Sequence, residues 1–213
     1  MAVIGTQQPR VIAYIDGFNL YFGLREMGWR RYYWLDVHAL AASLIPADTD
    51  LVATKYFTTR IASPPDKHKR QSDYLEALLT ATPCEIIYGK YQIKTHFCQS
   101  CGFEERIPNE KMTDVNIAVE MMEDAFQDNF DVALLISGDS DLTPPVSAIR
   151  RRFPEKRVVV ACPPRRKSAE LSAAASSVCD VVRTKLRDSQ MPDEVQKQDG
   201  YTIKRPSSWK KLG

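Results

Sequence analysis

No stretch of this sequence is apolar for the roughly 20 residues that a membrane-spanning helix needs. Its opening, Met1-Ala2-Val3-Ile4-Gly5-Thr6, lacks the basic segment and apolar segment of a secretory leader. Cysteine is sparse and odd in number, five residues at spacings that make no disulfide framework. These shortages lead to the expectation of a reducing, cytoplasmic setting without membrane contact. No internal repeat is evident either. What remains, 213 residues of which 44% are hydrophobic, is enough for one substantial core with a small appendage.

Net charge is slight, +2, but it is unevenly spread. From Glu110 to Asp131 the chain is acidic, with Lys111 the one base; from Arg150 to Lys167 it is basic, with Glu155 the one acid. A metal-dependent enzyme acting on a polyanion needs such a pairing, acids for the cation and bases for the phosphates. A solvated face is the plainer reading of the basic strip.

Two segments share one design. Val132-Ala133-Leu134-Leu135-Ile136 is a short buried strand that stops in Ser137-Gly138-Asp139-Ser140-Asp141-Leu142. Val11-Ile12-Ala13-Tyr14-Ile15 likewise runs into Asp16-Gly17-Phe18-Asn19. Ligands of open parallel sheets bind beyond the carboxyl ends of the strands. Crowded carboxylates there repel unless a cation or a shared proton separates them, and oxygen ligands suit Mg²⁺ and Mn²⁺. The competing reading is structural. Asp139 or Ser140 would cap the next helix, Asn19 would cap a helix from Leu20 to about Met27, and Asp16 would be a turn residue. Asp114 stands at the start of a helix beginning at Thr113, where an acid suits the helix dipole in any case.

Strand and helix signals alternate along the rest: a helix over 37–44, a strand over 51–61, a helix over 66–80, and strands over 84–88, 157–161 and 178–182. This predicts an α/β fold in three layers, a central mostly parallel sheet flanked by helices. In a 3-2-1-4-5 strand order the ends carrying Asp16 and Asp139/Asp141 are neighbours. Residues 89–108 read as a β-ribbon insertion with His96, Cys98 and Cys101 at its tip. Cys98-Gln99-Ser100-Cys101 has zinc-knuckle spacing, so these three would hold a structural Zn²⁺ if a fourth ligand came from elsewhere or from a second copy in a homodimer; a reduced or reversibly oxidised cysteine pair is the alternative. Gly28 to Trp34 is a basic aromatic loop that could stack on bases or simply cover a core edge. After about Asp188 the chain turns polar, and its end, basic with one tryptophan, reads as a mobile tail (189–213) that could touch nucleic acid or dock elsewhere.

Tyr14-Ile15-Asp16-Gly17-Phe18-Asn19, Lys111-Met112-Thr113-Asp114-Val115 and Ser137-Gly138-Asp139-Ser140-Asp141-Leu142 occur in the order of the three signatures of NYN (LabA-like) domains, which the chain resembles over about Val11 to Val182. That family belongs to the PIN-domain superfamily, and the cysteine ribbon resembles one in some bacterial members. The resemblance implies a PIN-like domain over 10–188 and a cytoplasmic Mg²⁺- or Mn²⁺-dependent ribonuclease, a hydrolase binding single-stranded or structured RNA. Asp16, Asp114 and Asp139 would be metal ligands and catalytic residues. Asp141 would join them or orient water. Asn19 and Ser137 would hold a water or phosphate oxygen, and Lys111 and Arg150 the flanking backbone. An aspartyl-phosphate route is disfavoured, because the acid it needs two places after Asp16 is Phe18. The alternative function is a non-catalytic RNA-binding or regulatory module.

Overall fold

Six of the seven residues of β1 (Arg10–Asp16) are buried, as befits a central parallel strand covered on both faces. Val11, Ala13 and Ile15 enter one core and Ile12 and Tyr14 the other, the alternation a pleated strand imposes. In this computed structural model the described residues are 8–97 and 99–210, apart from the side chains of 91–96 and 105–110. After β1 come α1 (Gly17–Glu26), a 3-10 turn (Arg30–Tyr32), α2 (Val37–Leu44), β2 (Asp50–Thr58), α3 (Pro65–Ala81) and β3 (Cys84–Tyr88). The ribbon β4 (Lys90–Phe97) and β5 (Glu104–Lys111) follows, then α4 (Thr113–Phe126), β6 (Val132–Ile136), a second 3-10 turn (Ser140–Leu142), α5 (Thr143–Arg152), β7 (Arg157–Cys162), α6 (Ala169–Ala174) and β8 (Ser177–Asp180). The chain closes with α7 (Arg183–Asp188), β9 (Glu194–Gln196), β10 (Thr202–Lys204) and a last 3-10 turn (Ser207–Trp209).

The central sheet runs β3-β2-β1-β6-β7-β8 and every pairing in it is parallel. This is the α/β, three-layer arrangement expected, with β6 and β7 in the places of the fourth and fifth strands. Leu20 and Leu24 of α1, Leu40 of α2 and Leu75 and Leu78 of α3 pack on one face. Ile117 and Met121 of α4, Val146 and Ile149 of α5 and Leu171 of α6 pack on the other. The order reverses between β1 and β6, the switch point where the strand ends open a crevice.

A buried polar strut ties α4 to this centre. Lys55 of β2 donates to Asp124 and Glu120, each at 2.7 Å, and the Tyr14 hydroxyl donates to Asp124 at 2.6 Å. Burial alone would raise the Asp124 carboxyl; hydrogen bonds from Lys55, Tyr14 and Asn129 outweigh it and hold the group below the ordinary carboxylate range.

The structure decides between the alternatives left open for the C-terminal segment and for residues 28–34. Residues 189–210 are docked, not a mobile tail: β9 and β10 pair, Val195 and Ile203 are buried, and Trp209 meets the rings of Tyr33, Trp34 and Tyr74 at centroid distances of 5.5, 6.3 and 6.3 Å. Scattered apolar residues in a polar segment find a core that the α1–α3 layer leaves open. The loop over 28–34 is part of that core too, since Tyr32 and Trp34 are buried. The ribbon is present, but Cys98 lies outside the described residues, as does the His96 side chain. Cys101 is an exposed free thiol.

Candidate active site

Ile15 and Ile136 are the last register partners of β1 and β6, so Asp16 and Ser137 leave the sheet side by side. Asp16 is 3% exposed and Ser137 fully buried. The Asn19 backbone N–H donates to Asp16 Oδ1 at 2.9 Å, and the Ser137 hydroxyl donates to Asp16 Oδ2 at 2.9 Å. The Ser137 oxygen in turn accepts the Asp139 N–H at 3.1 Å, and Asp139 Oδ1 accepts the Asp141 N–H at 3.0 Å. Asn19 Oδ1 accepts the Gly138 N–H at 3.0 Å. The two strand ends are thus laced into one unit. The helix cap differs from expectation: Asp16, not Asn19, caps α1, which starts at Gly17. Asn19 lies one turn inside, and its amide reaches across to β6. Asp139 caps the short turn after it, so the structural role and the proposed chemical one coincide in both residues.

Glycine is required at two points of this unit. A Cβ on Gly17 would lie 2.6 Å from the Tyr56 ring and 2.7 Å from the Phe57 carbonyl oxygen. One on Gly138 would lie 2.0 Å from the carbonyl oxygen of Arg166. The loop after β7 therefore crosses directly over the Asp139 turn and brings Arg165, Arg166 and Lys167 to the same edge. Arg165 is exposed and takes a left-handed φ of 58°, a costly conformation for a side chain that surroundings must hold. Arg166 pairs with Glu26 and lies over the Phe22 ring. The basic strip seen in the sequence contains this loop, yet individual residues could not be chosen from it. The usable signal was its place, immediately after the strand next to β6.

Asp114 reaches that edge from the other layer. It is half-buried in the first turn of α4, and α4 packs against the 3-10 turn that holds Asp141. The ribbon enters α4 through Met112, whose φ of 77° is again left-handed. Lys111 lies exposed beside it, its carbonyl oxygen 2.7 Å from where a Cβ on Gly89 would be. Arg150 is not brought in. Seven residues into α5, roughly 10 Å along the axis, its guanidinium instead donates to the carbonyl oxygens of Ala174 and Ala175 at 2.7 and 3.1 Å.

The donor chemistry at this edge, carboxylate oxygens with a serine and an asparagine amide, is the hard oxygen set that Mg²⁺ and Mn²⁺ prefer. Among the described residues the Asp141 carboxylate makes no hydrogen bond or salt bridge, and Asp139 accepts through Oδ1 alone. No three His, Cys, Asp or Glu side chains among the described residues stand close enough together to enclose an ion. The side chains fit a divalent ion by type and by the sheet edge they share.

On the α1–α3 side of Gly17 the same edge opens into a cavity of about 930 Å³, lined among others by Tyr21, Tyr33, Arg70 and Trp209. Burial pushes the Cys84 thiol up to about 12 and raises those of Cys162 and Cys179, which leaves them poor nucleophiles at neutral pH.

In comparisons with known proteins, 6-hydroxy-3-succinoylpyridine 3-monooxygenase HspA of Pseudomonas putida is 27% identical over 181 residues, covering 69% of this chain and 57% of that protein. The chain thus spans little more than half the length of that relative. A crystal structure of a protein of unknown function from Vibrio parahaemolyticus RIMD 2210633 superposes with a TM-score of 0.56 at 20% identity, covering 84% of this chain and 96% of the other; at that identity the likeness is one of fold. The model of the NYN domain matches residues 10–182, which takes in all six strands of the central sheet and every aspartate of the edge described above, and the chain belongs to the NYN domain family.

Proposed function

We propose that this NYN domain, a member of the PIN-like nuclease superfamily, is a Mg²⁺- or Mn²⁺-dependent ribonuclease that hydrolyses phosphodiester bonds at the β1/β6 edge. One observation carries the reading: Asp16 and Asp139 leave adjacent parallel strands and are joined through the Ser137 hydroxyl, with Asp141 and Asp114 on the same rim and a basic loop across it. Asp16, Asp114 and Asp139 would hold the ion. When bound, it supplies charge neutralisation at the phosphate and acidifies water. The other tasks fall to the chain. Ser137 and Asn19 hold Asp16 and the Gly138 turn in place, and buried hydrogen bonds of this kind fix a site to the tolerance catalysis demands. Asp141, exposed at the rim, takes the proton of the attacking water. Lys111, Arg165 and Lys167 face the flanking phosphates. Water forms the new bond to phosphorus as the bond to the 3′ oxygen breaks, and the departing 3′ oxygen takes a proton from solvent, which leaves a 5′-phosphate and a 3′-hydroxyl.

Incubation of single-stranded and structured RNA with either metal tests this. Wild type should give EDTA-sensitive products with 5′-phosphate ends, and Asp139→Asn should lower the rate by at least about 100-fold, since even the supporting groups of metal ligands are worth 10- to 100-fold. RNA binding that survives EDTA, with no cleavage in either metal, would instead establish a binding module. The capping roles of Asp16 and Asp139 favour that second reading, because caps alone would account for both residues. The ring-lined cavity would also admit a free heteroaromatic compound of the kind in the Pseudomonas relative's name. Turnover of 6-hydroxy-3-succinoylpyridine without RNA cleavage would put that activity in place of the nuclease.

A further inference from the structure

The cavity beside Gly17 combines two chemistries. Phe18, Tyr21, Phe22, Tyr33 and Trp209 supply ring surface. Tyr21 meets Tyr33 at 5.0 Å between centroids and Tyr33 meets Trp209 at 5.5 Å, so the rings form a continuous wall, with Tyr21 and Phe22 36% and 38% exposed. Arg25, Arg30, Lys67 and Arg70 supply positive charge. None of these four makes a salt bridge with a described residue, and no carboxylate is among the described residues lining the cavity. Exposed cations are ordinarily just solvated. Here, however, four surround one concavity, and Lys67 stands in the first turn of α3, where the helix dipole opposes a cation. At about 930 Å³ the space is at the upper end of the roughly 300–1,000 Å³ usual for small-ligand sites.

Flat faces ringed by unneutralised cations suit a nucleotide, whose base stacks and whose phosphate is anionic. The base must be unstacked to present its face, which a duplex does not allow. Gly17 is shared between the cavity wall and the strand end that carries Asp16, so a chain leaving the cavity passes onto the acid edge. We propose that this cavity is the entry subsite for single-stranded RNA: one nucleotide stacks on Tyr21 and Tyr33, its phosphates lie among Arg30, Lys67 and Arg70, and the adjoining phosphodiester reaches Asp16. The inference rests on the ribonuclease reading for the fate of the strand, not for its binding.

The test is fluorescence anisotropy of a labelled short oligouridylate with the full chain in EDTA, where no cutting occurs. Arg70→Glu and Arg30→Glu should each weaken binding by about 10-fold or more and flatten its salt dependence by about 0.7 in log–log slope for each phosphate the variant no longer neutralises. Tyr21→Ala should weaken it by roughly 5- to 100-fold, the worth of one stacked base, with the slope unchanged. A duplex of matching sequence should ignore Tyr21→Ala. Unchanged melting temperatures certify the variants, all at exposed or half-exposed positions. Wild-type affinity in all three variants, or no binding by wild type at low salt, overturns the subsite. Binding abolished in the variants while wild type never cleaves in Mg²⁺ or Mn²⁺ keeps the subsite and sinks the ribonuclease; cleavage by wild type with binding intact in every variant does the reverse.

Discussion

The Ser137 hydroxyl donates a hydrogen bond to Asp16 and accepts one from the Asp139 backbone N–H, so a single buried hydroxyl sets the spacing of the two strand ends. Its removal leaves polar groups buried with one partner fewer, a loss of about 1–3 kcal/mol. Ser137→Ala should therefore lower the unfolding free energy by that amount in chemical denaturation, and it should cost turnover through misplacement of Asp16 and Asp139, by about 10- to 100-fold. A variant with unchanged turnover would mean that the two aspartates do not act together. Gly138 makes the same point sterically. Since its Cβ would meet the Arg166 carbonyl oxygen at 2.0 Å, Gly138→Ala must push the basic loop off the edge, with a destabilisation of about 1–3 kcal/mol measurable in urea. At this scale the sequence was legible for residue type and only partly for role. Asp16 and Asn19 are both competent caps, and nothing in the local sequence says which one the β1–α1 junction uses. Arg150 is chemically suited to phosphate, but only the length of α5 shows that it is carried away from the edge to bind carbonyl oxygens.

The element on which the site depends most is α4, because it brings Asp114 to the rim. Lys55 and Asp124 anchor it, with side chains 12% and 8% exposed. Cutting Lys55 to Met strands a buried carboxylate and should cost about 3–5 kcal/mol; a loss under about 1 kcal/mol in chemical denaturation would show the strut to be idle. The pH dependence follows from the directions of the shifts. The folded Asp124 carboxyl is held below its ordinary value of about 3.9, so its contribution is complete above that pH and vanishes as pH falls through the folded value. The Lys55 ammonium, which burial would lower, is raised by its hydrogen bonds to Asp124 and Glu120. Its contribution is complete below about 10.4 and vanishes as pH rises through the folded value. The stability difference between wild type and Lys55→Met should accordingly be flat at neutral pH and shrink at both extremes. The central strands β1, β6 and β7 were readable because parallel strands buried on both faces are continuous apolar runs. The helix α7 was not: six residues, RTKLRD, too short and too charged to show a period.

For the molecule as a whole, the C-terminal segment matters more than its composition suggests. It closes the cavity with Trp209 and covers the α1–α3 layer through Val195 and Ile203. Residues 189–210 read as a tail because their apolar members are isolated, and isolated apolar residues carry no periodicity; only the assembled layer shows the surface they fill. Trp209→Ala should undock the segment, cost about 2 kcal/mol for a half-buried tryptophan, and weaken single-stranded RNA binding along with it. Unaltered stability and binding would return the segment to the status of an appendage. The charge asymmetry of the sequence is only partly used at the site: the acidic run sends Asp114 to the strand edge while Glu120 and Asp124 pair with Lys55 and Asp128 and Asp131 with Arg10, and the basic run supplies the loop that crosses the edge. The central claim is that the acid edge, the basic loop and the cavity work as one metal-dependent ribonuclease. The cleavage rate of one labelled single-stranded RNA against Mn²⁺ concentration, for wild type, Asp139→Asn and Arg70→Glu, tests it most directly. The account predicts a saturable metal dependence in wild type, none in Asp139→Asn, and a raised KM with metal dependence retained in Arg70→Glu. Equal cleavage by wild type and Asp139→Asn, or none by wild type at any Mn²⁺ concentration, would contradict it.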